Sequence, residues 1–463
     1  MIYSFVACLV LFTLIGLASS FFSKKTTSDY LMADKNVNPW LVGLSIFATE
    51  NSGFMFVGFV GLAYKIGLMA LWIPIGWYLG EFIALWLTSS KIRKETDATN
   101  AQSYNSLISQ WGGRNFKYVG YLSAVITILF LSIYASAQLS AGGKALYALV
   151  DWELNTGIIV GAGITVGYCF FGGIRASVWT DAAQSAVMLV SLILLVVFGL
   201  SHIGGVHEFY NQVKAVEPSI IDMMTGSYQF GLLGFIAGWF FAGVGILGQP
   251  HAMIRVMIID RPENLKKALL LYLVLAFILA ILCVLAALCA RILVPDLLSG
   301  DPELALPLLS KAVLPDILSG VFLAGLFASA LSTADSQILS SSAALSQNIL
   351  KKYKDSFYVS KLGILLIAAI ALSIAFYGDK NVLSLALYSW SVMASSMGVL
   401  MFIYALDWKI SQWQAIIVMV AGLTAAVLWK EMGYSAGMYA ALPGMIAGFV
   451  AYGALRLVSR IVR

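Results

Sequence analysis

Ser332, Asp335 and Ser336 stand at i, i+3 and i+4 inside a long apolar stretch, so on a helix they share one face. Ser329 and Thr333, four residues apart, flank that face. The set is a column of oxygen donors with one negative charge, the surface a hard cation such as Na+ selects. Close helix packing through small residues accounts equally well for the following SSSAALSQ, but it gives no reason for an aspartate. Three more carboxylates lie within apolar runs: Glu50, Glu81 and Asp181, with Lys144 nearer an end. An ionisable group inside a membrane is costly and is read as functional by default. Glu50 and Asp335 sit among polar neighbours, whereas the position of Glu81 also fits a carboxylate reaching headgroup water from a helix end.

The elements that must position these groups follow from composition. The 463 residues are 60% hydrophobic and 11% charged, with mean hydropathy +0.89, which places the chain in the membrane class. Thirteen apolar runs are long enough to cross a core of ~30 Å. They fall near 2–22, 39–63, 66–90, 118–150, 154–173, 178–204, 227–250, 268–292, 312–346, 358–377, 381–406, 411–430 and 438–460. The expectation is an all-α membrane protein with a single polytopic domain over 1–463. The first run, MIYSFVACLV onward, lacks a basic leader and is expected to remain as a helix rather than be cleaved as a signal. Cys8, Cys169, Cys283 and Cys289 all fall within spans, and only three histidines exist, which argues against a disulfide framework and a zinc or haem centre.

Basic residues set the orientation. The loops SKKTTSDY, SKIRK, GGIR, IRVMIIDRPENLKK, LKKYK and DWK and the tail RLVSRIVR hold most of the 28 Lys and Arg. Assigning them to the cytoplasm satisfies the positive-inside rule, with the N-terminus outside and the C-terminus inside a cell membrane. Topology explains the positive charge without a nucleic-acid partner, and no obligate protein partner is expected. Between the spans, NAQSYNSLISQWG reads as a short helix on the cytoplasmic surface.

Two spans are interrupted. The second, LSIFATENSGFMFVGFVG, carries Glu50, Asn51, Ser52 and Gly53 at its centre; the seventh, FFAGVGILGQPH, carries Gly243, Gly245, Gly248 and Pro250. Helix-breaking residues at membrane depth are tolerated only where protein or a cavity receives the freed backbone groups. The interrupted spans are five helices apart, which suggests two five-helix halves, spans 2–6 (39–204) and 7–11 (227–406). The runs 2–22, 411–430 and 438–460 would be extra. Such a pair points to a transporter's midplane site.

The stretches ATENSGFMFVG, IYASAQLSAGGK, GGIRASVWTDAAQS, GQPHAMIRVM, ALSTADSQILSSSAALSQNIL and LPGMIAGF resemble the sodium:solute symporter family, specifically its sodium/proline branch. The resemblance runs from the second span to the last. It implies thirteen spans, an outside N-terminus and the leucine-transporter-type fold of two inverted five-helix repeats. It also implies a sodium site of the carbonyls of Ala48, Asn51 and Ser329 with the hydroxyls of Ser332 and Thr333. Glu50 occupies the place of the family's aspartate and keeps the coupling charge on a longer arm. A second sodium, found in some relatives, would use Asp181, Ser332, Asp335 and Ser336. The solute pocket implied is Ser52, Gly53, Phe54, Tyr134, Gln138, Ala242, Ile246 and Pro250. Phe54, Ala242 and Ile246 depart from the larger aromatics of proline carriers, and Trp239, Phe240 or Met55 would have to refill the space.

The function expected is therefore sodium-coupled symport of a small organic solute by alternating access, with Na+ as the coupling ion and no organic cofactor. Proline is the leading solute; another amino acid, pantothenate, a sugar or a sialic acid is the alternative. A membrane sensor would need a cytoplasmic signalling module, and none is expected after RLVSRIVR. An enzyme would need a nucleophile–base pair, and no His or Cys is near the acidic residues in sequence. A channel would show rings of repeated acidic or carbonyl motifs.

Overall fold

The structure, a computed structural model, describes residues 1–224 and 228–461. Ser227, the first residue of the seventh expected span, and Arg463 of the basic tail lie outside the described residues. Apart from one isolated parallel bridge between Val37 and Ile259, the regular elements described are helices. The principal ones are α1 (Ile2–Ser20), α2 (Pro39–Glu50), α3 (Val60–Ile66), α4 (Trp72–Thr99), α5 (Tyr104–Gln110), α6 (Lys117–Val150), α7 (Leu154–Ile203) and α8 (Gly231–Val244). They continue with α9 (Pro250–Ile258), α10 (Leu265–Leu293), α11 (Asp316–Ala344), α12 (Phe357–Tyr377), α13 (Val382–Met393), α14 (Val399–Ala405), α15 (Gln412–Glu431) and α16 (Ala441–Ile461).

Among the described residues, 11 helical stretches are long and apolar enough to cross a membrane, where thirteen spans were expected. The difference lies where neighbouring spans run together. At 1.5 Å per residue, the 50 residues of α7 are far longer than one crossing needs. Gly173 divides them: its φ of 59° and ψ of −146° are not helical. A Cβ there would lie 2.4 Å from the Tyr30 carbonyl oxygen, so only glycine fits the turn. The second combined stretch, Phe54–Thr99, joins the far half of the broken second span to α4 through a turn at Gly67.

Both predicted interruptions are present. In the second span α2 ends at Glu50; Asn51 is non-helical (φ −94°, ψ 62°), and a π-helical turn, Phe54–Phe59, leads into α3. In the seventh, α8 passes through a 3-10 turn, Gly245–Gly248, to an extended Gln249. There Pro250 starts a new helix, since its missing N–H costs nothing in a first turn. The expected boundary at residue 250 is thus too early. α9 is the second half of the broken helix, buried throughout, and not part of a cytoplasmic loop.

α11 is the central element, packed against α1, α2, α6 and α7. From Phe322 to Ala344 every residue is buried, which leaves its polar column facing protein. α5 forms where a short helix was expected, with Ser103 accepting from Ser106 N as its cap, but it is not on the surface. Leu107 and Ile108 are fully buried and the Tyr104 hydroxyl donates to the Leu247 carbonyl. α4 and α8 meet backbone to backbone: a Cβ at Gly80 would lie 2.0 Å from Phe240 O, and one at Gly243 1.9 Å from Trp77 O. Small residues permit this approach, and it sets the positions of Trp77 and Glu81.

Because a backbone carbonyl cannot step aside, Gly243→Val should destabilise the protein by about 1–3 kcal/mol through overpacking. Gly163→Ala, where nothing lies within 4 Å, should be neutral. Thermal denaturation of the purified variants in one detergent checks the pair.

Candidate functional site

The interruption after Glu50 frees backbone carbonyls that a continuous helix would pair. In such a helix the Gly53 N–H would bond Thr49 O; here it donates instead to Gln138 Oε1 at 2.8 Å. The freed carbonyls face α11. Ser332 Oγ lies 2.9 Å from Ala48 O and 3.2 Å from Ser329 O. Thr333 Oγ1 lies 2.8 Å from Thr49 O and 3.2 Å from Ser329 O. Five oxygens of α2 and α11 thus converge, all on fully or almost fully buried residues. Four of the five contributing residues, Ala48, Ser329, Ser332 and Thr333, were expected. Thr49 was missed, although as a neighbour of Ala48 in the frayed turn its carbonyl is freed by the same break. Asn51 is adjacent and separately held: its Nδ2 donates to Phe47 O at 2.9 Å and its Oδ1 accepts from Tyr78 OH at 3.0 Å.

One turn along α11, the structure differs from expectation. Asp181, Asp335 and Ser336 come together, but around the Arg255 guanidinium of α9. Sequence reading placed Arg255 in a basic cytoplasmic loop; it is fully buried. Its Nη2 lies 3.2 Å from Asp181 Oδ2 and 2.8 Å from Ser177 Oγ and also donates to Ser336 Oγ. Nε and Nη1 donate to Ser45 Oγ at 3.1 Å and His251 O at 2.9 Å. Asp335 accepts from Tyr168 OH (2.9 Å), Ser177 Oγ (3.0 Å) and Ser336 Oγ (2.8 Å). Ser45 donates to Asp181 Oδ2 at 2.6 Å. The guanidinium bonds one carboxylate, Asp181, and the Ser177 and Ser336 hydroxyls that in turn donate to the second, Asp335, a fork of donors that a point charge would not supply. Ser332, also assigned to this group, belongs to the first cluster through Ala48 O. Ser45, Ser177, Tyr168 and Arg255 were not foreseen as members. The Arg six residues after GQ in GQPHAMIR was the available signal.

The expected solute wall is assembled in part. Ser52, Gly53, Tyr134 and Gln138 meet, with Ser52 Oγ 3.4 Å from Tyr134 OH and 3.5 Å from Gln138 Nε2. A Cβ at Gly53 would fall 2.6 Å from that of Ala141, so this contact requires glycine. Phe54 is on the other side of the break, stacked on Trp77 with centroids 5.8 Å apart. Trp77 also meets Trp239 at 5.9 Å and Trp390 at 4.7 Å. Trp390 Nε1 donates to Ala242 O at 2.8 Å, so an indole from α13 covers the small residue at 242. Ile246 is buried in the 3-10 turn. Pro250 does not join them: it lines a separate cavity with Tyr30, Ser103, Tyr104 and Leu339. Lys144 pairs with Asp301 at 2.7 Å and Glu303 at 2.6 Å, away from both clusters. Glu81 does not reach headgroup water. It is fully buried, accepting from Trp77 Nε1 at 2.6 Å and from the Tyr272 hydroxyl.

The model of the sodium:solute symporter family matches residues 30–422. The chain belongs to the sodium:solute symporter family. It is similar to the high-affinity proline transporter PutP of Bacillus subtilis, at 27% identity covering 93% of both chains. It is also similar to the sodium/proline symporter of Escherichia coli, at 25% identity covering 92% of this chain and 87% of the relative. Among solved structures, a Na+-coupled sialic acid symporter superimposes with TM-score 0.82 at 19% identity over 98% of this chain and 97% of that one. Mhp1, a nucleobase-cation-symport-1 family transporter, gives TM-score 0.58 at 17% identity, covering 93% and 95%. These likenesses establish the fold, that of leucine-transporter-type symporters. As a family member the chain is a multi-pass membrane transporter that couples a small solute to Na+.

Breaking the buried charge cluster should be costly, because removing one partner strands the others: Arg255→Ala is expected to lose about 3–5 kcal/mol. Adding Asp335→Asn should recover part of that loss. A double-mutant cycle by thermal denaturation checks it; strictly additive losses would show that Arg255 and Asp335 do not share one network.

Proposed function

We propose that the protein imports proline with Na+, the ion bound by Ala48, Thr49, Ser329, Ser332 and Thr333. The observation that carries this reading is the convergence of the Ser332 and Thr333 hydroxyls on carbonyls freed by the break in α2. A bound Na+ would bridge α2 and α11 and favour the conformation presenting the solute wall. That link makes the two affinities reciprocal. Glu50, beside the break, would supply the coupling charge.

Proline is supported by the names of the relatives and by the aromatic packing beside Ala242. Trp77 and Trp390 occupy the volume beside Ala242, which favours a small zwitterion over a bulky solute. Ser52, Tyr134 and Gln138 would offer the polar contacts. The Asp181–Arg255–Asp335 cluster is read as a structural clasp across α7, α9 and α11 in place of a second sodium site. The two five-helix repeats, 39–204 and 227–406, would move against each other around the fixed site, with the N-terminus outside and the C-terminus in the cytoplasm.

Reconstituted into liposomes, the protein should accumulate labelled proline under an inward Na+ gradient and not under K+. Thr333→Ala should raise the half-saturating Na+ concentration about tenfold, the effect of about 1.4 kcal/mol, while leaving proline binding at saturating Na+ nearly unchanged. An unaltered Na+ dependence would remove Thr333 from the site. Glu50→Gln should lose most Na+-driven uptake and Glu50→Asp should retain a measurable part; a fully active Gln variant would make Glu50 structural. If a bulkier amino acid is driven by Na+ and proline is not, the sodium reading stands and the solute changes.

A further inference from the structure

The helix ends expected at the cytoplasmic face carry a group of cations that neither the sodium site nor the solute wall includes. Three membrane-crossing stretches begin or end there together: Lys117–Val150 starts, Asp316–Ile349 ends and Gln412–Glu431 starts. They are tied to one another at this level. Tyr118 N donates to Gln412 Oε1 at 3.1 Å, and a Cβ at Gly120 would lie 3.3 Å from Asn348 Nδ2. Side chains at these ends therefore stand at headgroup depth.

The cations meet at one ring. Lys117 Nζ is 5.8 Å and Lys351 Nζ 5.2 Å from the centroid of Tyr121, within the range at which an aromatic face attracts an ammonium. Lys352 and Lys354 follow Lys351 in the chain. Among the described residues, no salt bridge includes any of these four lysines, or Asp355 next to them. Elsewhere on the same face, Lys24, Lys35, Lys91, Arg93 and Arg175 each pair with an aspartate. Burial, then the charges of Lys117 and Lys354, hold the Lys351 ammonium below the ordinary lysine range. Lysines gathered without a carboxylate repel one another, and an anion among them removes that cost.

The surroundings of the lysines select the anion. Tyr118, three residues before Tyr121 and so on the same side of α6, stacks on Trp413 of α15 with centroids 5.7 Å apart, and both rings are exposed. Exposed Tyr and Trp at a span's end are the side chains that settle at a membrane–water interface. Exposed Val125 and Leu129 continue the line of Tyr121 at intervals of four residues, about 6 and 12 Å deeper at 1.5 Å per residue. Exposed Ile417 and Val420 continue from Trp413 in the same way. A free phosphate gains nothing from these apolar lines, whereas an acyl chain lies along them.

We propose that this face binds one anionic phospholipid, its phosphodiester held by Lys117 and Lys351 and an acyl chain running along Val125 and Leu129. The flexible lysine stems let both ammonium groups turn from Tyr121 to the phosphate. Lys352 and Lys354 add to the field that draws a negative headgroup. A zwitterionic headgroup carries its own cation and is held less tightly.

The test titrates full-length protein, purified and delipidated in detergent, with phosphatidylglycerol or with phosphatidylcholine of the same chains, and native mass spectrometry counts the lipid bound. Wild type should hold one phosphatidylglycerol more tightly than any phosphatidylcholine. Lys117→Gln and Lys351→Gln should each weaken it about fivefold and together abolish the preference, whereas Lys117→Arg with Lys351→Arg should keep most of it. Lys25→Gln with Lys267→Gln, an equal charge change at exposed lysines outside this group, should have no effect. Equal affinity for the two lipids, or an equal loss from the Lys25 and Lys267 pair, would overturn the proposal. So would displacement of the lipid by glycerol phosphate, which would assign the lysines to a soluble anion. If the glutamine pair does not fold, the wild-type comparison of the two lipids decides the question.

Discussion

The structure depends on one constraint: backbone groups released by a break in a buried helix have no water to turn to. Where α2 stops at Glu50, the carbonyls of Ala48 and Thr49 and the N–H of Gly53 lose their helical partners. An unmatched polar group at that depth costs several kcal/mol, so neighbouring elements must be shaped around it. Gln138 of α6 takes the N–H, and Ser332 and Thr333 of α11 take the carbonyls. The small hydroxylated face of α11 is thereby explained by the break it serves, and so is its place at the centre of the helices.

Charge follows the same logic and distinguishes two groups of buried acids near the break. Asp181 and Asp335 have a resident cation, since the planar donors of Arg255 reach both the first carboxylate and the hydroxyls serving the second. Such a network ties α7, α9 and α11 together and has little reason to exchange its occupant. Among the described residues, no salt bridge includes Glu50 or Glu81. The α4–α8 contact, made through glycines, lies beside Trp77, whose Nε1 donates to Glu81 at 2.6 Å.

Aromatic packing decides the solute space in a comparable way. Ala242 in isolation suggests a vacated pocket, because a small residue stands where a large ring would fill volume. Trp390, distant in sequence, lies against that residue and donates to its carbonyl, and Trp77 packs on Trp390 in turn. The volume available near a position is set by every element that reaches it.

By itself the sequence determined the apolar spans, the two interruptions and the hydroxyl column of α11. Each is a local property: hydrophobic length, helix-breaking residues and a 3.6-residue repeat need no partner to be read. Glu50, Asn51, Ser52 and Gly53 mark the first break as plainly in the chain as in the fold. Only the tertiary structure decided which charges are neutralised and by what. Arg255 looked like one more basic loop residue because its burial depends on α9 resuming after Gln249 and turning inward. Glu81 looked like a helix-end acid because Tyr272, its partner, lies 191 residues away. Thr49 O and Trp390 were hidden for the same reason. A carboxylate, a carbonyl or a cavity takes its character from the groups that other helices bring within about 3 Å of it, and that proximity has no local signature in the sequence.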